Sequence, residues 1–382
     1  MRYIWQHIHT ITGSYKGDVP LAHYLKNHFR QHPKLGSRDR KIISDMCYSW
    51  YRCKKGIISA LSIEEKMGMC LYLSGSDSKH IQAFLPAHLQ DVEQSVTARI
   101  NKLQPVFSVN AIFPYDIPLS HGIDAREWLQ SIITQPALFI RIRKSREKLL
   151  SILGENNIAY KPIGNNSLAL SNGTQIDKLL PADSYVVQDL SSQRTGNYFL
   201  PQKNDRWYDC CSGAGGKSLL LTDIEPTIQL TVTDRRGSIL HNLKERFKQY
   251  HLKQPTAHIT DVQSAEVLKT VLGNADFDGI ICDVPCTGSG TWARTPEQLY
   301  FFDPARLTEI SHLQINIAIN AASYVRAGGR FIYITCSVFR QENEVVVANL
   351  SAGTNLVLES TQVLNGVNEK ADSMFVAVLK KP

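Results

Sequence analysis

Long apolar runs are missing from this 382-residue chain. Its first residues hold no apolar stretch of the kind a secretory leader needs, and no segment approaches the ~18 apolar residues that cross a bilayer. A cytoplasmic protein without membrane contact is therefore expected. Cysteine is sparse for the length: eight residues (47, 53, 70, 210, 211, 282, 286 and 336), with no C-x-x-C pair. That excludes a disulfide scaffold and argues against a cysteine-type zinc site, so reduced thiols and no metal are expected. Internal repeats and low-complexity tracts are also lacking.

Acidic residues are outnumbered, 35 against 42 Lys and Arg, for a net charge of +7. The excess is local. Met1 to Ala60 carries eleven Lys/Arg against three Asp/Glu, densest in "KLGSRDRKI", and "RIRKSREK" from Arg141 to Lys148 adds five basic residues against one acidic. Clusters of this kind attract a polyanion and hold its phosphates with little sequence preference. Arg38, Arg40, Lys41, Arg141, Arg143 and Lys144 are the candidate phosphate contacts.

The length allows two or three domains. Residues 1–130 read as a basic helical bundle. "SRDRKIISDMCYSWYRC" offers Ser37 as N-cap and apolar residues at helical spacing, and "HIQAFLPAHLQDVEQSVTARINKL" is helical in pattern on either side of Pro86. Trp50 and Tyr51 fall at core spacing. Residues 136–200 read as a small α+β module. From 201 to 382 strand patterns "WYDCC", "QLTVTD", "AHITD", "FDGIICD" and "GRFIYITC" alternate with helical ones, which predicts a mostly parallel doubly wound sheet. "NLVLES" and "MFVAVLK" have no evident helix between them and predict an antiparallel edge pair.

"YDCCSGAGGKSLLL" joins the first of these strands to a helix. Gly213, Gly215 and Gly216 permit a tight turn beside a helix N-terminus. The stretch is not a Walker loop, which needs glycine where Cys211 stands, and it lacks the third glycine of a dinucleotide fingerprint. Asp234 closes the second strand, where a carboxylate can accept from ribose hydroxyls, and Asp261 closes the third, on the adenine side. Together they predict an adenosine cofactor without a pyrophosphate requirement, S-adenosyl-L-methionine.

Cys286 in "DVPCTGSG" and Cys336 in "YITCS" follow the fourth and fifth strands, whose C-terminal ends converge on the ligand crevice of such a sheet. A soft thiolate suits methylation at cytosine C5, which is poorly reactive until a nucleophile adds at C6. One cysteine would attack; a second thiol or a carboxylate would serve deprotonation and release. Asp283 is placed to meet the base, donating to N3 if protonated. Spacing alone leaves packing as an equal alternative and does not say which thiol attacks.

Four blocks, "DCCSGAGGK", "FDGIICDVPCTGSGTWARTPE", "AGGRFIYITCS" and "ENEVVV", resemble the Nop/Sun (Fmu-like) family of RNA cytosine-5 methyltransferases. "RIRKSREKLLSIL" and "VVQDLSSQ" are similar to that family's RNA-recognition-like module, and "LGSRDRKIISDMCYSWYR" to the helical RNA-binding extension of its bacterial ribosomal RNA members. The resemblance implies a Rossmann-like class I methyltransferase domain with the small α+β module and an N-terminal helical bundle. It implies Cys336 as the residue bonded to C6, Cys286 as the one that assists release, and Asp283 as the fourth-strand acid. It places the cofactor on Cys211, Ser212, Gly213, Ala214, Gly215, Gly216, Lys217, Asp234, Asp261 and Asp283. Two departures stand out: Ala214 replaces the family's proline, and Ala293-Arg294 replaces an Arg-Arg pair. Arg294 keeps one phosphate contact, and the preceding Trp292 is expected to affect stacking of a flipped base or its neighbour.

The expected function is 5-methylcytidine formation in structured RNA, small-subunit (16S) ribosomal RNA foremost, by a monomer with no obligate protein partner. The alternatives are a transfer RNA cytosine-5 methyltransferase and a non-catalytic RNA-binding ribosome-assembly protein that keeps the fold. A dinucleotide-dependent oxidoreductase has no support in the glycine register.

Overall fold

The computed structural model describes residues 2–75, 79–90 and 95–382. They form two compact units. One comprises Met1–Ile117, Ile123–Pro136 and Thr291–Pro304, the other Pro118–Gly122, Ala137–Gly290 and Ala305–Pro382.

The first unit is helical, led by α1 (Arg2–Ser14), α2 (Leu21–Gln31), α3 (Ser37–Cys53) and α4 (Ile63–Ser74). Helix α3 buries Ile42, Ile43, Met46, Cys47, Trp50 and Tyr51, the stripe its 3.6-residue spacing requires. Its N-cap is Gly36 rather than Ser37, which opens the helix itself. Helix α4 begins with a reciprocal Ser62–Glu65 capping box, worth about 1 kcal/mol. Helical structure does occur on both sides of Pro86, as a short helix at Lys79–Gln82, a 3-10 turn at Ala87–Leu89 and a helix at Val96–Lys102; residues 91–94 of that expectation lie outside the described residues. The segment Thr291–Pro304 belongs to this unit. Trp292 is fully buried there, its ring 5.7 Å from that of Trp128 and 5.2 Å from that of Phe302. It is a core residue, and the expectation that it stacks near a flipped base is overturned by that burial.

The second unit holds two sheets. β1 (Leu138–Ile142), β2 (Tyr160–Ile163), β3 (Ser167–Leu170) and β4 (Tyr185–Val187) form a four-stranded antiparallel sheet ordered β2-β3-β1-β4. β2 has no counterpart in the sequence expectation because Pro162 argues against a strand; it is tolerated at the sheet edge. The larger sheet has seven strands, β5 (Arg206–Asp209), β6 (Gln229–Asp234), β7 (Thr256–Ile259), β8 (Phe277–Asp283), β9 (Val325–Thr335), β10 (Val357–Leu364) and β11 (Met374–Lys380), ordered β10-β11-β9-β8-β5-β6-β7. β5 to β9 pair in parallel, whereas β11 runs antiparallel to β9 and β10 to β11. Alternate residues feed two cores. Ile280, Cys282, Phe331 and Tyr333 pack with Ile317 and Ala321 of one helix layer. Ile281, Ile332 and Ile334 pack on the other face with Leu219, Leu240 and Phe247. The result is a three-layer α/β domain with both faces of its parallel strands covered.

Candidate active site

The strand order makes β8 and β9 neighbours, so the loops leaving their C-terminal ends meet. Cys286 lies three residues past Asp283, the last residue of β8, and Cys336 directly follows β9. Their Sγ atoms are 3.2 Å apart, and neither is in a disulfide.

A buried carboxylate ties the two loops together. Glu342 accepts from the Thr287 backbone N–H at 2.8 Å, from Thr287 Oγ1 at 2.5 Å, from Gln314 Nε2 at 2.9 Å and from Ser337 Oγ. Thr287 follows Cys286 and Ser337 follows Cys336, so one side chain fixes both thiol-bearing turns. Glu342 opens the "ENEVVV" block, but nothing in its sequence context reveals this role, because its partners come from three separate segments. Gly290 completes the clamp. Its N–H donates to Cys336 O at 2.9 Å and its carbonyl accepts from Ser373 N–H at 2.9 Å. A Cβ there would stand 2.0 Å from Ser373 O, so only glycine fits.

Charge is arranged around the pair. Lys217 Nζ donates to Asp283 Oδ2 at 2.9 Å. Burial pulls the Lys217 ammonium down, but the Asp283 charge and hydrogen bond outweigh it, leaving Lys217 above its ordinary value. The hydrogen bond from the Cys286 thiol is the largest influence on Cys336 and lowers it; burial and the Asp283 charge oppose this, and Lys217 assists. Cys286 moves the other way, well above an ordinary thiol, through the same hydrogen bond and then burial. The hydrogen bond between them therefore favours the thiolate on Cys336 and the proton on Cys286.

The glycine loop lies at the adjoining strand end. Gly215 adopts φ +82° as the N-cap of the helix Gly216–Ile224, and a Cβ on it would come within 2.8 Å of Leu243. Ser212 donates through N–H and Oγ to Thr233 O, and Gly213 N–H donates to Asp234 Oδ2 at 3.1 Å. Ala214 is exposed, and its carbonyl accepts from Arg246. Asp234 also accepts from Arg236 N–H, Nε and Nη2, at 2.9 to 3.0 Å. A ribose hydroxyl reaching Asp234 must therefore share or displace the exposed Arg236 guanidinium. Asp261 lies beyond β7, exposed, accepting from Gln263. Asp209, the acid that opens the loop block, is 1% exposed and accepts from Ser218 Oγ at 2.6 Å. Burial, with a contribution from Asp283 and against the Ser218 hydrogen bond, pushes it up to about 7.

The basic residues divide. Arg38 and Lys41 are exposed on α3, Lys41 pairing with Asp45 at 2.9 Å; Arg40 is half-buried and donates to Leu35 O. Arg294 is exposed within Thr291–Pro304. Lys144 is half-exposed and pairs with Asp183. Arg141 and Arg143 do not fit the expected phosphate role. Their side chains are 9% and 5% exposed, and both bind Asp223 at 2.7 Å. Arg141 also donates to Gln188, and Arg143 to Asp183 O while stacking on Tyr250. They join β1 to the helix Gly216–Ile224, and burial with Asp223 removes them from contact with RNA.

A class I methyltransferase fold, with a loop and paired acids at the cofactor end and two thiols at the adjoining strand ends, is the class that this domain defines. Residues 197–379 match the family described as 16S rRNA methyltransferase RsmB/F. Over these residues the chain is similar to that family, whose class takes its methyl group from S-adenosylmethionine. Among curated relatives, "Ribosomal RNA small subunit methyltransferase B" of Klebsiella pneumoniae (strain 342) is 26% identical over 231 residues, covering 58% of this chain and 52% of that protein. The chain spans about half to three-fifths of the length of the curated relatives it matches. The crystal structure of PH0851 superposes with a TM-score of 0.70 at 18% identity, covering 95% of both chains. NSun6 from Pyrococcus horikoshii, solved with the S-adenosylmethionine analogue SFG, gives 0.61 at 15% identity over 72% of this chain and 96% of its own. These two likenesses establish the fold. No described helix is long and apolar enough to cross a membrane.

Proposed function

We propose that this chain methylates C5 of a cytosine in structured RNA, forming 5-methylcytidine, and that its substrate is small-subunit (16S) ribosomal RNA. The observation that carries the chemistry is the 3.2 Å approach of Cys286 to Cys336, with Cys336 lowered and Cys286 raised by their shared hydrogen bond. Support for the substrate comes from the naming of the curated relatives as ribosomal RNA small subunit methyltransferases.

In this reading the Cys336 thiolate adds to C6 of an extruded cytosine and raises the electron density at C5. S-adenosylmethionine, held by Cys211 to Lys217, Asp234 and Asp261, supplies the methyl group. A base then takes the C5 proton, the C–H electrons restore the C5–C6 double bond, and the Cys336–C6 bond breaks to return the thiolate. Cys286 attends that release. Asp283 meets the base as the fourth-strand acid, with Lys217 as its ion-pair partner. Residues 1–130 and the module at 136–200 hold the RNA around the target, with Arg38, Arg40, Lys41, Lys144 and Arg294 as phosphate contacts. The protein acts as a cytoplasmic monomer.

The test is transfer of labelled methyl groups from S-adenosylmethionine to separated ribosomal and transfer RNA, and to immature small ribosomal subunits, from cells lacking the protein. 5-Methylcytidine in one small-subunit fragment is the expected product, lost in Cys336→Ala. Label confined to transfer RNA overturns the substrate, and turnover by Cys336→Ala overturns the nucleophile.

A further inference from the structure

Three imidazoles converge in the helical unit. His7 lies on α1, His28 in the last turn of α2, and His32 caps that helix. The i, i+4 spacing of the latter two places them on one helix face, one turn apart. The nitrogens of all three lie within 4.8 Å of one another. His7 Nδ1 is 3.0 Å from His28 Nε2, and the ring centroids are 4.5 to 5.1 Å apart. His28 is 7% exposed, His7 is half-buried and His32 is exposed, so the cluster has a closed side and a wet side.

Among the described residues no carboxylate or thiol joins the group. The 3.0 Å hydrogen bond between His7 and His28 accounts for two of the rings, and the His32 nitrogen completes a set that one cation can take. Imidazole nitrogens about 2.0–2.1 Å from a tetrahedral zinc stand roughly 3.3 Å apart, a spacing the His7–His28 pair already approximates.

We propose that His7, His28 and His32 form a binding site for one divalent transition-metal ion of the zinc type, with water in the fourth position on the exposed side. The ion staples α1 to the end of α2. Three nitrogen ligands favour zinc, cobalt, nickel or copper over magnesium or calcium, which take oxygen.

The test uses the full chain, stripped with a chelator and titrated with Co2+ and then Zn2+. One saturable equivalent is expected, with the visible bands of imidazole-bound cobalt and no thiolate-to-cobalt charge-transfer band, displaced by Zn2+ and accompanied by a rise in Tm. His32→Gln, at an exposed position, and His7→Gln should each lose that equivalent and the Tm rise, while unloaded His32→Gln melts like the unloaded parent chain. Absence of a saturable equivalent, thiolate bands for the bound ion, or unchanged binding by both variants would overturn the site.

Discussion

Lys217 Nζ lies 2.9 Å from Asp283 Oδ2, a buried cation from the glycine-loop helix paired with the acid that ends β8. The pair joins the proposed cofactor side of the crevice to the thiol side. Its cation lowers Cys336 while its anion raises it, so the two partners do not act alike on that thiol.

This ordering fixes an expected pH dependence. Cys336 alkylation by iodoacetamide, mapped by mass spectrometry, should rise with pH through a midpoint below that of an ordinary thiol. Cys286→Ala removes the largest lowering influence and should move the limb to higher pH. Lys217→Gln should move it the same way by less. A profile unmoved by Cys286→Ala would show that the thiols do not share a proton.

Glu342 is a positioning residue, and Glu342→Ala should cost about 2–4 kcal/mol by leaving buried donors of both turns unpaired. Glu342→Gln should fold better and still lower kcat more than it raises KM, because the thiol spacing loosens while the proposed cofactor loop is untouched. Denaturant melts and steady-state methylation check both statements.

Arg143→Ala should destabilise the chain by about 1.5–3 kcal/mol, since Asp223 keeps Arg141 but loses its second guanidinium partner. At a temperature where the variant is folded, the salt dependence of its RNA affinity should match that of the parent. Arg38→Ala with Lys41→Ala should do the reverse, leaving Tm nearly unchanged and reducing the salt slope by about 1 for each phosphate that is no longer neutralised.

Asp209 gives a stability signature. Its folded value, about 7, lies above the unfolded value of 3.8, so its contribution is complete below about pH 4 and is lost as pH rises through about 7. Asp209→Asn should therefore flatten the fall in stability between about pH 4 and about pH 7. Melting curves for the two proteins that stay parallel across that range would refute the buried-acid account.

The sheet was legible because its strands are short apolar or alternating stretches and its crossovers carry a helical period. β6, β8 and β11 fall where "QLTVTD", "FDGIICD" and "MFVAVLK" place them. The proximity of Cys286 and Cys336 followed from strand order, a property of the fold as a whole. What stayed hidden was pairing over long separations. Arg141 and Arg143 read as surface grips because Asp223 lies far along the chain, and Trp292 read as a site residue because its neighbours Phe113 and Trp128 lie far upstream of it. The His28–His32 spacing is visible in the sequence, but His7 joins it only once α1 and α2 are packed.

The course of Thr291–Pro304 determines when the helical unit can be finished. Arg52 donates to Ala293 O, and the first N–H of α2 donates to Glu297 Oε1. During synthesis the first 136 residues emerge without these partners and without the Trp292 ring that fills their core. Strands β5 to β8 have all been translated before residue 304 is added. The helical unit therefore stays incomplete until the residues after Cys286 are added, by which point β5 to β8 of the larger sheet are already made.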